Sequence, residues 1–304
     1  MAGSVGGAPL VTVGLPVHNG ERFLAGAIRS VLEQDVENLE LLISDNASQD
    51  GTEEICRSFA RSDPRVRYER AERNHGAAWN FSRLPVTARG RYFRWHAHDD
   101  ECRSGFLRAC LEVLERDPGV SLVYPRSTDV DGDDRYLDSE ELWGTGTQAS
   151  PLARARSLLL HPAFPAAAPF GLVRREQLLQ TDLLRPYKGS DRTMLLQLAL
   201  LGRFHEIDEP LFLHRRHAGR SGSLPRAQWL TWWDGGPQGR RVSPRSRLLR
   251  GYASGIARSP VPVAVRVGVM GLLPLWALRN ASPLTREALA VIAQPLVRRR
   301  PASA

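Results

Sequence analysis

From Leu10 to about Tyr124 the chain alternates short, β-branched apolar runs with longer amphipathic stretches, and this alternation constrains the fold more than any other feature. Val11–Leu15, Leu39–Ser44, Val66–Arg70, Arg91–Trp95 and Val120–Tyr124 read as strands. Between them Glu21–Glu33, Thr52–Arg61, Ala77–Ala88 and Phe106–Arg116 carry helical apolar spacing. Asn19-Gly20, Asp50-Gly51 and Asp117-Pro118-Gly119 supply the turns. Strands and helices in strict succession imply βαβ units, and so an α/β fold with a mainly parallel, Rossmann-like sheet flanked by helices.

In such sheets ligands bind beyond the C-terminal ends of the strands. Here those ends are Pro16-Val17-His18-Asn19-Gly20-Glu21, Asp45-Asn46-Ala47-Ser48-Gln49-Asp50-Gly51-Thr52 and His96-Ala97-His98-Asp99-Asp100-Glu101. Three turns rich in acids and amides are expected to converge on one rim. Asp45 is placed to accept hydrogen bonds from a base or ribose; a helix N-cap is the alternative. Asp99 and Asp100 repel each other unless a cation neutralises them. Hard divalent cations bind such oxygens and complete their shells with phosphate oxygens. A solvated turn is the other reading of that pair.

After Asp129-Val130-Asp131-Gly132-Asp133-Asp134 the pattern loosens into a polar stretch up to about Ser150, expected as a loop or lid. A helix at Pro151–Leu160, a Pro/Ala-rich passage and a helix at Asp191–Leu201 follow, leading into the short runs Phe204–Ile207 and Leu211–His214. Asp191 sits in the first turn of its helix, where a carboxylate is stabilised by the helix dipole. Trp229, Trp232 and Trp233 read either as a core cluster or as platforms for sugar faces.

At 304 residues, with ordinary apolar content, the chain excludes a wholly disordered or multi-span membrane protein. Cys56, Cys102 and Cys110 form no CxxC pair, so buried thiols in a reducing compartment are expected. Met1–Pro9 has neither a positive nor an apolar signal region, which points to cytoplasmic residence. Lys188 is the only lysine. From Gly235 onward twelve arginines face one acid, Glu287, an asymmetry that suits a polyanionic partner or the inner face of the plasma membrane. Val261–Leu278 is apolar but is interrupted by Arg266, two prolines and two glycines, so a docked or interfacial helix is expected there rather than a span. Nothing in the chain reads nucleic acid, and no Gly-rich, Lys-containing phosphate loop supports nucleotidyl transfer.

The ordered motifs resemble those of family 2 glycosyltransferases of the GT-A fold over roughly residues 10 to 222. Pro16-Val17-His18-Asn19-Gly20-Glu21 is similar to the family's opening Pro-Val-Tyr-Asn-Gly-Glu, and Ser44 to Thr52 to its Asp-Asp-Gly-Ser-x-Asp-Gly-Thr. Asn74-His75-Gly76-Ala77-Ala78-Trp79-Asn80 resembles the segment preceding the helix that leads to the metal motif, and Trp95 to Asp100 stands where that motif belongs. Gly189-Ser190-Asp191 resembles the segment bearing the catalytic base, and Leu213-His214-Arg215-Arg216-His217 the closing Arg-x-His segment.

The resemblance implies metal-dependent, inverting transfer of a sugar from a nucleotide-diphosphate donor to the hydroxyl of a lipid-linked glycan, polysaccharide or small molecule, as in cell-envelope or polysaccharide biosynthesis. It makes Pro16, His18, Asn19, Glu21, Asp45 and Asn46 donor contacts, with Asp45 on the base and His18 in the place of a stacking tyrosine. Gly76 and Asn80 would shape the adjacent wall. Asp99 would lie near the ribose, Asp100 would hold Mn2+ or Mg2+, and His217 would ligate metal or phosphate with Arg215 assisting. Asp191 would be the general base, and the Phe170–Arg175 segment would line the acceptor side or form a core strand. The implied organisation is a flexible 1–9, a GT-A domain over 10–222 with a nucleotide half (about 10–128) and an acceptor half (about 150–222), and a Trp- and Arg-rich helical extension over 223–304. His18 and Ala97 depart from the family pattern, and those departures also admit an inactive nucleotide-sugar-binding or scaffold module. With Ala97 replacing an acid, Asp100 would carry most of the metal binding.

Overall fold

The computed structural model describes residues 8–139, 144–161, 167–234 and 243–292. Residues 1–7 of the expected flexible N-terminus and residues 162–166 of the Pro/Ala-rich passage lie outside the described residues. The elements run β1 Val11–Val17, α1 Glu21–Leu32, β2 Leu39–Asp45, α2 Thr52–Ser62, β3 Val66–Arg70, α3 Ala77–Thr87 and β4 Tyr92–Trp95. There follow β5 Glu101–Cys102, α4 Phe106–Arg116, β6 Val120–Val130, β7 Tyr136–Ser139, α5 Pro151–Leu160, β8 Leu172–Arg174, α6 Arg175–Leu178, α7 Ser190–Leu201 and β9 Arg203–Arg215. The chain continues through α8 Arg226–Asp234, α9 Pro244–Arg258, α10 Val263–Met270, α11 Leu273–Arg279 and α12 Ala281–Ile292.

One sheet forms the centre, in the order β3-β2-β1-β4-β8-β6-β9-β5, with β7 paired to β6. β1 is parallel to both β2 and β4, β2 is parallel to β3, and β6 is parallel to β9. Every residue of β1 and β2 is buried, as helices on both faces require of central parallel strands. From β1 the chain goes first to one side of the sheet and then to the other. The crevice between the C-terminal ends of β1 and β4 is therefore the switch point where ligands bind in such folds.

Four of the five expected strands and the four helices of the first half form within a residue or two of their sequence bounds, while the fifth starts at Val120 as expected and runs on to Val130. Three features of the second half differ. The stretch from Asp134 to about Ser150 is not a loop along its whole length: β6 runs past Tyr124 to Val130, and the chain turns back into β7, with Thr128 opposite Ser139. Local polarity hid this strand because its partner is distant, Ser127 to Val130 pairing with Phe212 to Arg215. The runs expected at 204–207 and 211–214 are one strand, β9. Pro210, which has no N–H to give, falls in the irregularity between the Pro125/Ile207 and Ser127/Phe212 pairs, where the register shifts. Finally, Leu172–Arg174 is the core-strand alternative, a short antiparallel wedge between β4 and β6.

The C-terminal helices carry a second apolar cluster in which Leu248, Tyr252, Ile256, Leu273 and Trp276 meet Ala155, Leu159, Leu196 and Leu200 of α5 and α7. The α7–α9 contact is close: a Cβ on Gly251 would collide with the Tyr187 hydroxyl, and Gln197 Nε2 donates to the Gly255 carbonyl at 3.1 Å. Gly251→Ala should lower unfolding free energy by about 1–3 kcal/mol, because overpacking outweighs the ~1 kcal/mol helical preference for alanine. Urea denaturation reads the sign directly, and a stabilised variant would show that α9 is not seated on α7. Among the described residues no single helix is long and apolar enough to cross a membrane; Val263–Arg279 and Ala281–Glu287 pass on length and composition only as a pair, bent by 70°.

Candidate active site

The turns after β1 and β2 are locked to each other. Asn19 takes a positive φ of 54°; its N–H donates to Ser48 Oγ at 2.9 Å, and its Oδ1 accepts from the Gln49 N–H at 2.8 Å. The Gly20 N–H donates to Thr52 Oγ1 at 2.9 Å, and Glu21 Oε2 accepts from the Gly51 N–H at 2.7 Å. Asn19 and Glu21 thus brace the two turns. Glycine is required at position 20, where a Cβ would lie 2.5 Å from the His98 ring. His18 is half-buried, and its Nδ1 has no hydrogen-bond partner, an unsatisfied polar atom at the rim. Pro16, one of the fully buried β1 residues, aligns with Ser44 of β2.

Asp45 is wholly buried: it accepts from the Ser48 N–H at 2.8 Å and the Tyr68 hydroxyl at 2.7 Å, and Arg70 Nε lies 3.3 Å away. Asn46 ties this turn to the next segment, donating to Asn74 Oδ1 and the Gly76 carbonyl and accepting from the His75 N–H. Gly76, at φ 85°, opens α3. Asn80 Nδ2 then donates to the Ser44 carbonyl at 2.9 Å and the Val17 carbonyl at 3.3 Å. Gly76 and Asn80 therefore stand beside the ends of β1 and β2.

Past β4, Asp99 and Asp100 lie side by side in opposite protonation environments. Burial alone would raise Asp99, but the His98 charge and the His217 hydrogen bond outweigh it and hold its carboxyl below the usual range. Asp100 is pushed well above that range, by burial first and then by the Asp99 charge. Asp100 Oδ1 accepts the Arg215 backbone N–H at 2.9 Å, while its Oδ2 takes no donor among the described residues.

His217, expected on the metal, contacts the other carboxylate, with Nε2 2.9 Å from Asp99 Oδ2; its ring packs on Phe23 at 4.9 Å between centroids. Arg215, expected to face the donor, is 3% exposed and committed to protein acceptors. Nε donates to the Asp99 carbonyl, Nη1 to the Asp131 carbonyl and Asp134 Oδ1, and Nη2 to Glu101 Oε1. The β6–β7 turn is thereby pinned over the acid pair. Among the described residues no group of three or more His, Cys, Asp or Glu side chains converges on a metal position. A lone cation ligand at Asp100 Oδ2 is compatible with a divalent ion only if a donor's phosphate oxygens supply much of its shell.

Asp191 belongs to a neighbouring cavity of about 790 Å3, also lined by Trp95, Phe170, Lys188, Trp229, Trp233, Arg245, Trp276 and Glu287. Asp99 and Asp100 do not line it; Trp95, the last residue of β4, links the two regions. Burial raises the Asp191 pKa against the opposing pull of Arg192 and local N–H groups. The tryptophans form a cluster at the cavity wall. Trp229 and Trp233 stack at 5.4 Å, the latter buried with its Nε1 donating to the Arg185 carbonyl, and both line the cavity.

Sequence reasoning missed the buried layer behind the acid pair. Arg94 is fully buried over the Phe106 ring at 3.8 Å, with Nη2 3.2 Å from His96 Nδ1 and Nη1 unpartnered. A charged residue inside the apolar run Tyr92-Phe93-Arg94-Trp95 was the available signal. Glu101, the β6–β7 turn and the α9–α12 side chains of the cavity carried no motif.

The Glycosyl transferase family 2 model matches residues 12–180. Glycosyltransferase GlyG of Streptococcus pneumoniae serotype 4 is 25% identical over 238 residues, covering 73% of this chain and 75% of that protein. Putative teichuronic acid biosynthesis glycosyltransferase TuaG of Bacillus subtilis is 32% identical over 129 residues, 40% of this chain and 51% of that protein. Of solved structures, S. aureus TarS 1-349 in complex with UDP-GlcNAc has a TM-score of 0.64 at 14% identity, covering 93% of this chain and 76% of that one. Mannosyltransferase PcManGT from Pyrobaculum calidifontis, in complex with GDP-Man and Mn2+, has a TM-score of 0.52 at 20% identity, with 96% and 77% covered. These structural likenesses carry the fold, a mixed α/β sheet of GT-A type with helices added at the C-terminal end. The family match, over more than half of its length, places the chain in glycosyl transferase family 2.

Proposed function

We propose that the protein transfers a sugar from a nucleotide-diphosphate donor to an acceptor hydroxyl in a single displacement, with inversion at the anomeric carbon. The observation that carries this reading is the Asp99–Asp100 pair, a half-buried and a buried carboxylate held at the switch point by His217 and the Arg215 N–H, with Asp100 Oδ2 taking no donor among the described residues. The donor's nucleoside occupies the crevice between the β1 and β4 turns, against His18 and the wall of Gly76 and Asn80. A divalent cation held by Asp100 would offset the charge that gathers on the departing diphosphate. His217 orients Asp99 through their hydrogen bond, and Arg215 holds the turn in place. On the other side of Trp95 the cavity takes the acceptor. There Asp191 removes the proton of the acceptor hydroxyl as its oxygen attacks the anomeric carbon, and the carbon–oxygen bond to the nucleoside diphosphate breaks on the opposite face. In this reading residues 10–222 form the catalytic domain, its nucleotide half over about 10–128 and acceptor half over about 150–222, and 223–304 extend the acceptor side. GlyG, TuaG and the nucleotide-sugar complexes of TarS and PcManGT support the same reaction class.

A panel of UDP-, GDP- and dTDP-sugars, screened by thermal shift with and without manganese, tests this. A matching donor at a hundredfold excess over its Kd should stabilise the fold by about 2.7 kcal/mol. Asp100→Asn should abolish the manganese-dependent part of the shift. At pH values below the Asp100 pKa, which burial and the Asp99 charge raise, loading with manganese must also displace a proton. Apparent affinity should therefore weaken toward tenfold per pH unit below that group's raised pKa. If no donor shifts the protein and none is cleaved to a nucleoside diphosphate, the transferase reading fails. Binding without turnover would instead mark the inactive-module alternative.

A further inference from the structure

The helical segment Val263–Arg279 has two unlike sides. Val269, Leu273 and Trp276 are buried in the second apolar cluster, and Trp276 also lines the cavity that contains Asp191. The opposite side is bare: Val263 is 63% exposed, Val267 65%, Leu275 50% and Leu278 72%. These positions recur at helical spacing, with the exposed Ala264, Gly271 and Pro274 falling among them, so they form one stripe. Leu152 of α5, 44% exposed, adjoins it across Gly268. Single exposed apolar residues are ordinary, but a contiguous stripe of large ones on one helix face marks a surface that meets something apolar.

The charge around the stripe identifies that partner. Twelve arginines and one acid follow Asp234, and the acid, Glu287, is already paired with Arg245. Arg250, Arg279 and Arg286 are exposed and form no ion pair among the described residues. An apolar stripe followed directly by the exposed Arg279, on a helical extension whose arginines Arg250 and Arg286 are also unpaired among the described residues, suits the boundary of an anionic bilayer, where the side chains enter the acyl region and the cations meet the headgroups. A second copy of this chain would bring the same uncompensated positive charge against itself.

We propose that α10 and α11 form an interfacial seat on an anionic lipid surface. The seat stands on its own geometry. Combined with the transferase reading, it puts the acceptor cavity one helix thickness from the bilayer, since α11 contributes Trp276 to one and Leu275 and Leu278 to the other. That placement suits an acceptor hydroxyl carried on a membrane lipid.

Cosedimentation of the full chain with phosphatidylglycerol and with phosphatidylcholine vesicles, in low and high salt, tests the seat. Binding is expected on the anionic vesicles, weakening as salt rises. Arg250→Gln/Arg286→Gln should weaken it by about fivefold per arginine. Leu275→Gln/Leu278→Gln should weaken it by on the order of tenfold or more, since each buried leucine is a major part of the apolar term. Both variants change exposed positions, and unaltered denaturation midpoints with unaltered donor-dependent thermal shifts would show that the fold and nucleotide site are intact. Vesicle binding needs no donor, so its failure leaves the transferase reading untouched, and failure of donor binding leaves the seat untouched. The seat is overturned by absence of binding to phosphatidylglycerol, by equal binding to both lipids, or by a concentration-dependent dimer that the leucine substitutions dissolve.

Discussion

Asp191→Asn is expected to lower turnover by about 10^2–10^4-fold, the range that a positioned general base contributes, while leaving the donor-dependent thermal shift unchanged. The substitution keeps the size of the side chain while replacing a basic carboxylate oxygen by an amide that takes up no proton. The pH profile adds a second readout. Burial raises the Asp191 pKa, and the base must be ionised to act, so turnover should fall as acidity passes through that raised value. The acid limb should vanish in the asparagine variant. Stability has the opposite sign: a carboxylate whose folded pKa is raised disfavours the fold at pH values above its unfolded pKa. Asp191→Asn should therefore be no less stable than the parent at neutral pH. Near-normal nucleoside diphosphate release by the variant, on a donor the parent cleaves, would remove Asp191 from the mechanism.

Arg215→Met is expected to cost about 3 kcal/mol of unfolding free energy, the lower end of the range for removing one partner of a buried ion pair. The lower end applies because Glu101 and Asp134 keep contact with water once the guanidinium is gone. The Asp99 carbonyl loses its donor as well, while the Asp131 carbonyl keeps only the Asp134 N–H at 3.3 Å. Arg215→Lys keeps the charge but not the planar fork that reaches four acceptors, so it should recover only part of the loss. Urea denaturation measures the stability, and the manganese-dependent donor shift measures what the acid pair retains. The backbone N–H that holds Asp100 survives both substitutions, so donor binding should weaken through loosening of the β6–β7 turn. A stability loss below about 1 kcal/mol would show that the turn is held by other contacts.

The rim itself was legible from the chain. Asn19, Glu21, Asp45, Asn46, Asp99 and Asp100 stand at or within a few residues of the ends of β1, β2 and β4, because strand ends are set by local pattern, and Gly76 and Asn80 reach the same rim from the start of α3. Their individual partners were less legible. Asn19 and Glu21 are taken up in bracing two turns, and Asp45 is enclosed by Tyr68 and Arg70, contacts that depend on how β2 and β3 align. His217 lies 118 positions from Asp99, and no spacing along the chain specifies which of two adjacent carboxylates it meets. The β6 extension escaped notice for the same reason. Its polar residues look like a loop until β9 is placed beside them.

Hydrophobic periodicity and turn chemistry act over a few residues, so the order of strands and helices, the α/β class and the identity of the acidic turns were determined by the amino-acid sequence alone. The pairing of His217 with Asp99, the closure of Arg215 over the β6–β7 turn, the joining of Asp191 to tryptophans and C-terminal helices in one cavity, and the bare face of α10 and α11 were decided only by the tertiary structure. Each of these depends on which distant surfaces pack together, and packing is a property of the whole folded chain rather than of any segment of it.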